Sequence, residues 1–191
     1  MKILVVDNYD SFVYNLVHIL HNLGVEHVDV YKNDKIDLKS VERYDKILLS
    51  PGPGIPKEAG IMPQIIKQYA ITKSILGICL GHQAIAEAFG GNLKNLQNPL
   101  HGVSSRIDCK SEDYLFQDVP TSFTVGHYHS WVVNPELPYE LEALAVDTNA
   151  NIMALRHKNY DVRGLQFHPE SILTEHGVKL IENWINHNQV L

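Results

Sequence analysis

The chain has 191 residues, 45% hydrophobic and 20% charged, with a formal net charge of −6. This is ordinary globular usage and enough length for one domain, residues 1–191, to bury a sizeable core. No basic stripe marks a nucleic-acid partner, no apolar run approaches the length that spans a membrane, and residues 1–7 lack the apolar core of a secretory signal. Two cysteines, Cys79 and Cys109, are too few for a disulfide framework and set the expectation of a reducing cytoplasm. Eleven histidines show no zinc-like spacing, so no metal is expected.

In chain order, residues 2–7 (KILVVD) read as a buried strand. Ser11 reads as a helix N-cap, with Val13, Leu16, Val17, Leu20 and Leu23 at helical spacing and Gly24 as the stop. Strands follow over residues 28–31 and 46–50, then a turn-rich stretch over residues 51–60 and a helix over residues 62–70. Residues 74–78 (SILGI) read as a strand and residues 82–89 as a helix closed by Gly90 and Gly91. Strands alternating with helices at this rhythm predict a parallel sheet with crossover helices. Short strands over residues 103–108, 123–125, 131–133, 141–146, 152–156 and 162–167 suggest antiparallel pairing. A last helix is expected over residues 175–187, with Val178, Ile181 and Ile185 on one face. The expected fold is α/β: a central, mostly parallel sheet with flanking helices, extended by antiparallel strands.

The sharpest local signal is Gly77-Ile78-Cys79-Leu80-Gly81, placed between a strand and a helix. It is the thiol version of the G-x-S-x-G elbow. A nucleophile on so tight a turn has a strained backbone, and glycines two residues either side leave it room. The turn sets the sulfur at a helix N-terminus, where unpaired amides favour thiolate, and the Leu80 amide can serve an oxyanion hole. Cys109, in Asp108-Cys109-Lys110, has no glycine and reads as structural or exposed.

A reactive thiolate needs a proton partner. His168 follows a strand and begins His168-Pro169-Glu170, and catalytic groups gather at the C-terminal ends of strands in α/β sheets. Glu170 could hold one imidazole nitrogen and leave the other for the sulfur. From spacing alone a surface His-Pro-Glu turn reads equally well. His82 reads as packing. His127 and His129 could bind substrate or shape a turn. The loop Ser50-Pro51-Gly52-Pro53-Gly54-Ile55-Pro56 has prolines to fix its shape and glycines to free its amides. It suits an oxyanion hole, with a plain turn as the alternative.

In order and spacing, residues 6–12 (VDNYDSF), 50–54, 77–83, 128–130 (YHS) and 166–171 (QFHPES) resemble the class I, or triad, glutamine amidotransferase family over nearly the whole chain. The opening DNYDSF and the HPES segment look most like the small subunits of anthranilate synthase and aminodeoxychorismate synthase. The resemblance implies a triad of Cys79, His168 and Glu170, with oxyanion amides from Gly54 and Leu80. It implies that Gln83 and the backbone at Ser130 and Trp131 hold the amino-acid end of L-glutamine, with Gly52 lining the pocket. It further implies no cofactor and a chorismate-binding synthase as partner in a hetero-oligomer. Two positions depart from the pattern: Trp131 stands where leucine is usual, and His101-Gly102-Val103 where HGK is usual. Rival readings are a stand-alone γ-glutamyl cysteine hydrolase, a non-catalytic binding subunit, and a flavodoxin-like phosphate binder. Against the last, no Walker or GxGxxG loop follows the first strand.

Overall fold

The computed structural model describes residues 1–187; the last four residues of the expected 1–191 unit lie outside it. Its strands are β1 (Lys2–Asp7), β2 (His27–Lys32), β3 (Lys46–Leu49), β4 (Ser74–Ile78), β5 (Leu93–Cys109), β6 (Ser122–Val133), β7 (Leu141–Asp147), β8 (Ile152–His157) and β9 (Val162–Leu165). Its α-helices are α1 (Val13–Asn22), α2 (Met62–Tyr69), α3 (Leu80–Ala88) and α4 (Gly177–Asn186). The strands form one sheet in the order β2-β1-β3-β4-β9-β8-β7-β5-β6. Strands β2, β1, β3, β4 and β9 are parallel to their neighbours in that group, and β8, β7, β5 and β6 pair antiparallel. The expected α/β class, with a parallel centre and an antiparallel extension, is what the chain forms.

Both faces of the parallel half are covered, which is why its strands read as unbroken apolar runs. Alternation along β1 sends Ile3 and Val5 to one face, where they join Leu16 and Leu20 of α1 and Leu180 and Trp184 of α4. Leu4 and Val6 go to the other, against Ile65 and Ile66 of α2 and Ile85 of α3. Lys46 at the start of β3 is buried but supplied: its Nζ donates to the carbonyls of Trp184 (3.0 Å) and His187 (2.7 Å). A cation suits those orphaned carbonyls at the end of α4, although burial lowers its pKa.

Several local readings are corrected. Ser11 is not the cap of α1: Phe12 occupies that position with no side-chain bond, and Asp10 Oδ1 takes the Phe12 amide at 2.8 Å. Helix α3 begins at Leu80, directly after the cysteine. Val178 is exposed, while Ile181 and Ile185 of the same helix are buried. The strands expected at 123–125 and 131–133 are the two ends of β6, so His127 and His129 lie within a strand and not a turn. Strand β5 is likewise far longer than residues 103–108. It slips register between His101 and Val103, where Gly102 adopts φ +67°, so the HGV segment marks a bulge.

Candidate active site

The site gathers at the C-terminal ends of β1, β3, β4 and β9, where open parallel sheets place their chemistry. Cys79 follows β4 and caps α3 with φ 50° and ψ −97°, a conformation costly for any residue with a Cβ. The flanking glycines allow it by close approach. A Cβ on Gly77 would sit 2.5 Å from the Gly81 carbonyl, and one on Gly81 would sit 2.6 Å from the Leu49 carbonyl. The Cys79 amide donates to the Leu165 carbonyl at 2.7 Å, which ties the elbow to β9.

The chain leaving β9 carries the other two members of the expected triad. His168 Nδ1 lies 2.6 Å from Glu170 Oε1, and both side chains are buried. Burial disfavours the imidazolium, but interaction with Cys79 and then Glu170 outweighs it and pushes the His168 pKa up to about 10. His168 Nε2 makes no hydrogen bond of ordinary geometry. With Nδ1 engaged by Glu170, Nε2 is the nitrogen left to face the sulfur, which favours the protonated ring. The segment is held in place by His168 N to Gly126 O (3.1 Å) and Thr174 Oγ1 to His168 O (2.6 Å). The ring of Tyr128 packs edge-on to the imidazole at 4.9 Å.

Beside Cys79 opens a cavity of about 220 Å³, lined by Gly52 and Gly54, Gln83, His101, and residues 128–131. That is smaller than drug-sized ligand sites and suits a single amino acid. Gly52, Gly54, Gln83, Ser130 and Trp131 thus all come to the same cavity as Cys79. Leu80 does not line it. Its side chain packs behind the loop, 2.9 Å from where a Gly52 Cβ would be, while its amide stands in the first turn of α3, where amides lack helical partners. Gln83 Nε2 donates to the Trp131 carbonyl at 2.8 Å, so the backbone contact at that position persists despite the large side chain.

The loop after β3 rests on a residue that the sequence does not single out. Asn8, buried at the end of β1, donates through Nδ2 to the Ser50 carbonyl (2.8 Å) and through its amide to Ser50 Oγ (2.9 Å). Asn33 Nδ2 in turn holds Asn8 Oδ1 at 3.0 Å. Gly52 is required by space: a Cβ there would lie 2.5 Å from Asn8 Cβ. Gly54 is required by conformation, with φ +76°.

His127 Nε2 lies 2.7 Å from Ser105 Oγ, and its Nδ1 lies 3.2 Å from His129 Nε2. Burial lowers both, His129 to about 3 with help from His127, so both imidazoles are neutral at pH 7. His82 is buried against β9, with its pKa lowered to about 4 by burial. Cys109 lines a separate, larger cavity of about 730 Å³ with Arg156 and Arg163. There burial, and secondarily Asp108, pushes its thiol up to about 11, the opposite of activation. Among the described residues no cluster of three or more His, Cys, Asp or Glu side chains could hold a metal ion. No helix among them is long and apolar enough to cross a membrane.

A thiol held on a strained strand-to-helix elbow above a doubly covered parallel sheet defines an α/β protein with a candidate nucleophile at the sheet's C-terminal edge. Comparison with known proteins narrows the class. The family model for glutamine amidotransferase class-I matches residues 4–188. Aminodeoxychorismate synthase component 2 of Escherichia coli is 43% identical over 187 residues, covering 96% of this chain and 99% of its own. Anthranilate synthase component 2 of Lactococcus lactis is 45% identical over 188 residues, covering 96% and 93%. Among solved structures, a Thermoplasma acidophilum protein provisionally described as part of a GMP synthase superposes with a TM-score of 0.87 at 28% identity, covering 97% of this chain and 92% of that one. This chain belongs to the class-I glutamine amidotransferase family.

Proposed function

We propose that the chain is the glutaminase subunit of a chorismate-using synthase, one that makes anthranilate or 4-amino-4-deoxychorismate, and that residues 1–191 act as one such unit in the cytoplasm. The observation that carries the chemistry is the convergence of Cys79, on its strained elbow, with the His168–Glu170 pair beside a cavity sized for one amino acid. The names of the similar proteins from Escherichia coli and Lactococcus lactis support the choice of synthase.

In this reading glutamine enters the 220 Å³ cavity. Both Nε2 hydrogens of Gln83 are engaged within the protein, by Trp131 O and Gln166 Oε1. Gln83 therefore offers glutamine its carbonyl oxygen, an acceptor for the α-ammonium. The backbone at Ser130 and Trp131 contributes the rest of the grip. The Cys79 thiolate attacks the side-chain carbonyl, and the amides of Leu80 and Gly54 take the charge that grows on oxygen. The His168 imidazolium gives its proton to the departing nitrogen, so ammonia leaves and a γ-glutamyl thioester remains. Neutral His168 then takes a proton from water, the resulting hydroxide cleaves the thioester, and glutamate and the thiolate–imidazolium pair are restored. Ammonia must reach its acceptor unprotonated, which requires a closed, dry passage into the partner.

The test is Cys79→Ser in the assembled synthase. Glutamine-dependent synthesis should vanish while synthesis from added ammonia continues; loss of both would refute the assignment. A stand-alone hydrolase would turn over at full rate without a partner, whereas this subunit should be slow until its synthase binds.

A further inference from the structure

We propose that Gln166 is a further residue acting on the reacting sulfur: its side-chain amide holds and stabilises the Cys79 thiolate, and Gln83 fixes the orientation of that amide. The inference rests on the assignment of Cys79 as nucleophile and adds a role to a residue outside the triad.

Gln166 is fully buried. Its Nε2 lies 3.6 Å from Cys79 Sγ, within reach for an N–H donor to sulfur. Which end of the amide faces the sulfur is dictated by its neighbour. Gln83 Nε2 lies 3.2 Å from Gln166 Oε1 and 2.8 Å from the Trp131 carbonyl. An NH₂ group is a donor only, so Gln166 must turn its oxygen to Gln83 and its own NH₂ to the sulfur. The backbone is equally fixed, since Gln166 N donates to Met153 O at 2.9 Å.

The end of β9 and the segment after it therefore meet the nucleophile three times. Leu165 O takes the Cys79 amide, Gln166 Nε2 reaches the sulfur, and His168 interacts with the same sulfur. Gln166 and His168 lie in the bend just after β9, and both side chains turn to the same sulfur. A donor to sulfur favours the charged thiolate over the thiol. It therefore acts twice in the cycle: before attack, and again when the thioester breaks and charge returns to sulfur. An apolar residue of the same shape would fill the space without either effect. The chain of amides also links the segment that grips substrate, at Trp131, to the nucleophile, at Cys79.

The experiment uses the full chain and a small neutral electrophile, iodoacetamide, whose reaction with thiolate needs no glutamine pocket. The label is located by mass spectrometry in the wild type, in Gln166→Met, which keeps the bulk and loses the donor, and in Gln166→Glu, which replaces the NH₂ by an acceptor. A hydrogen bond to a charged group is worth about tenfold or more in the thiolate population, partly offset because a less stabilised thiolate is the stronger nucleophile. Both variants should alkylate Cys79 about threefold or more slowly at neutral pH, with the rate profile displaced to higher pH. Cys109 labelling should be unchanged, and glutaminase kcat should fall further than KM changes. If one variant fails to fold, the other carries the comparison. Wild-type rate and pH profile in a folded variant would overturn the role of Gln166 and leave the Cys79 assignment standing. Equal labelling of Cys79 and Cys109 in the wild type would overturn both.

Discussion

At His168 burial and charge compete, and charge prevails. The imidazole lies in a dry site that disfavours its cation, yet Cys79 and Glu170 together push its pKa up to about 10. Since the folded value exceeds the ordinary value of about 6.5, the protonated ring contributes stability that is complete below about pH 6.5 and is lost as pH rises through about 10. In the proposed chemistry the imidazolium is also the acid that releases ammonia, so the alkaline limb of the glutaminase rate should follow the same loss. In Glu170→Gln one of its two supports is removed. The limb should then move to lower pH, and kcat should fall by about 100- to 10,000-fold, the usual range for general acid–base groups. A pH–rate profile of both proteins checks this, and an unmoved limb would show that Glu170 does not hold the imidazolium. Cys109, raised to about 11 by partial burial and Asp108, is the internal contrast: the same side chain without an elbow or a histidine is a half-buried, unactivated thiol.

At the scale of elements, the loop after β3 is a scaffold for amides whose shape is set from beneath. Asn8 binds Ser50 on two sides and fills the space that a side chain at position 52 would need. Gly52→Ala should therefore displace the loop, since its Cβ would press on Asn8 and on the tip of the Leu80 side chain. The loss of one oxyanion donor costs about 100- to 1000-fold in rate, and kcat should fall toward that range while iodoacetamide still labels Cys79 at the wild-type rate. Unchanged kcat would mean that the loop does not line the reacting oxygen. Legibility in the sequence differs by element. The elbow is clear because a strained turn at a fixed point between strand and helix demands glycines at Gly77 and Gly81, and composition records that demand. The parallel strands are clear because burial on both faces leaves unbroken apolar runs. Strand β6 reads as two pieces because its middle, residues 126–130, carries polar and aromatic groups. Such residues look like a turn but are buried in the strand that walls the cavity. The roles of Asn8 and Gln166 are hidden for another reason. A buried amide announces itself only through its partners, and those lie 42 and 87 positions away in the chain.

Across the whole molecule, one sheet serves two purposes. Its parallel half, packed between α1 with α4 and α2 with α3, supplies the elbow, the loop after β3 and the chain that leads to His168. Its antiparallel half brings β6 back past the same edge, so that Ser130 and Trp131 wall the cavity that Cys79 opens into. No short stretch of sequence contains both halves, and residues 79 and 168 meet only because β4 and β9 are neighbours.

A covalent glutamyl intermediate at one named sulfur is what the proposed chemistry requires above all. Its most direct measurement is acid quenching of the chain during glutamine turnover, followed by mass spectrometry of the peptides that carry the two cysteines. A glutamyl adduct should accumulate on the Cys79 peptide and be absent from the Cys109 peptide. Glutamate release with no adduct on Cys79, or with an adduct on Cys109, would contradict the proposed chemistry.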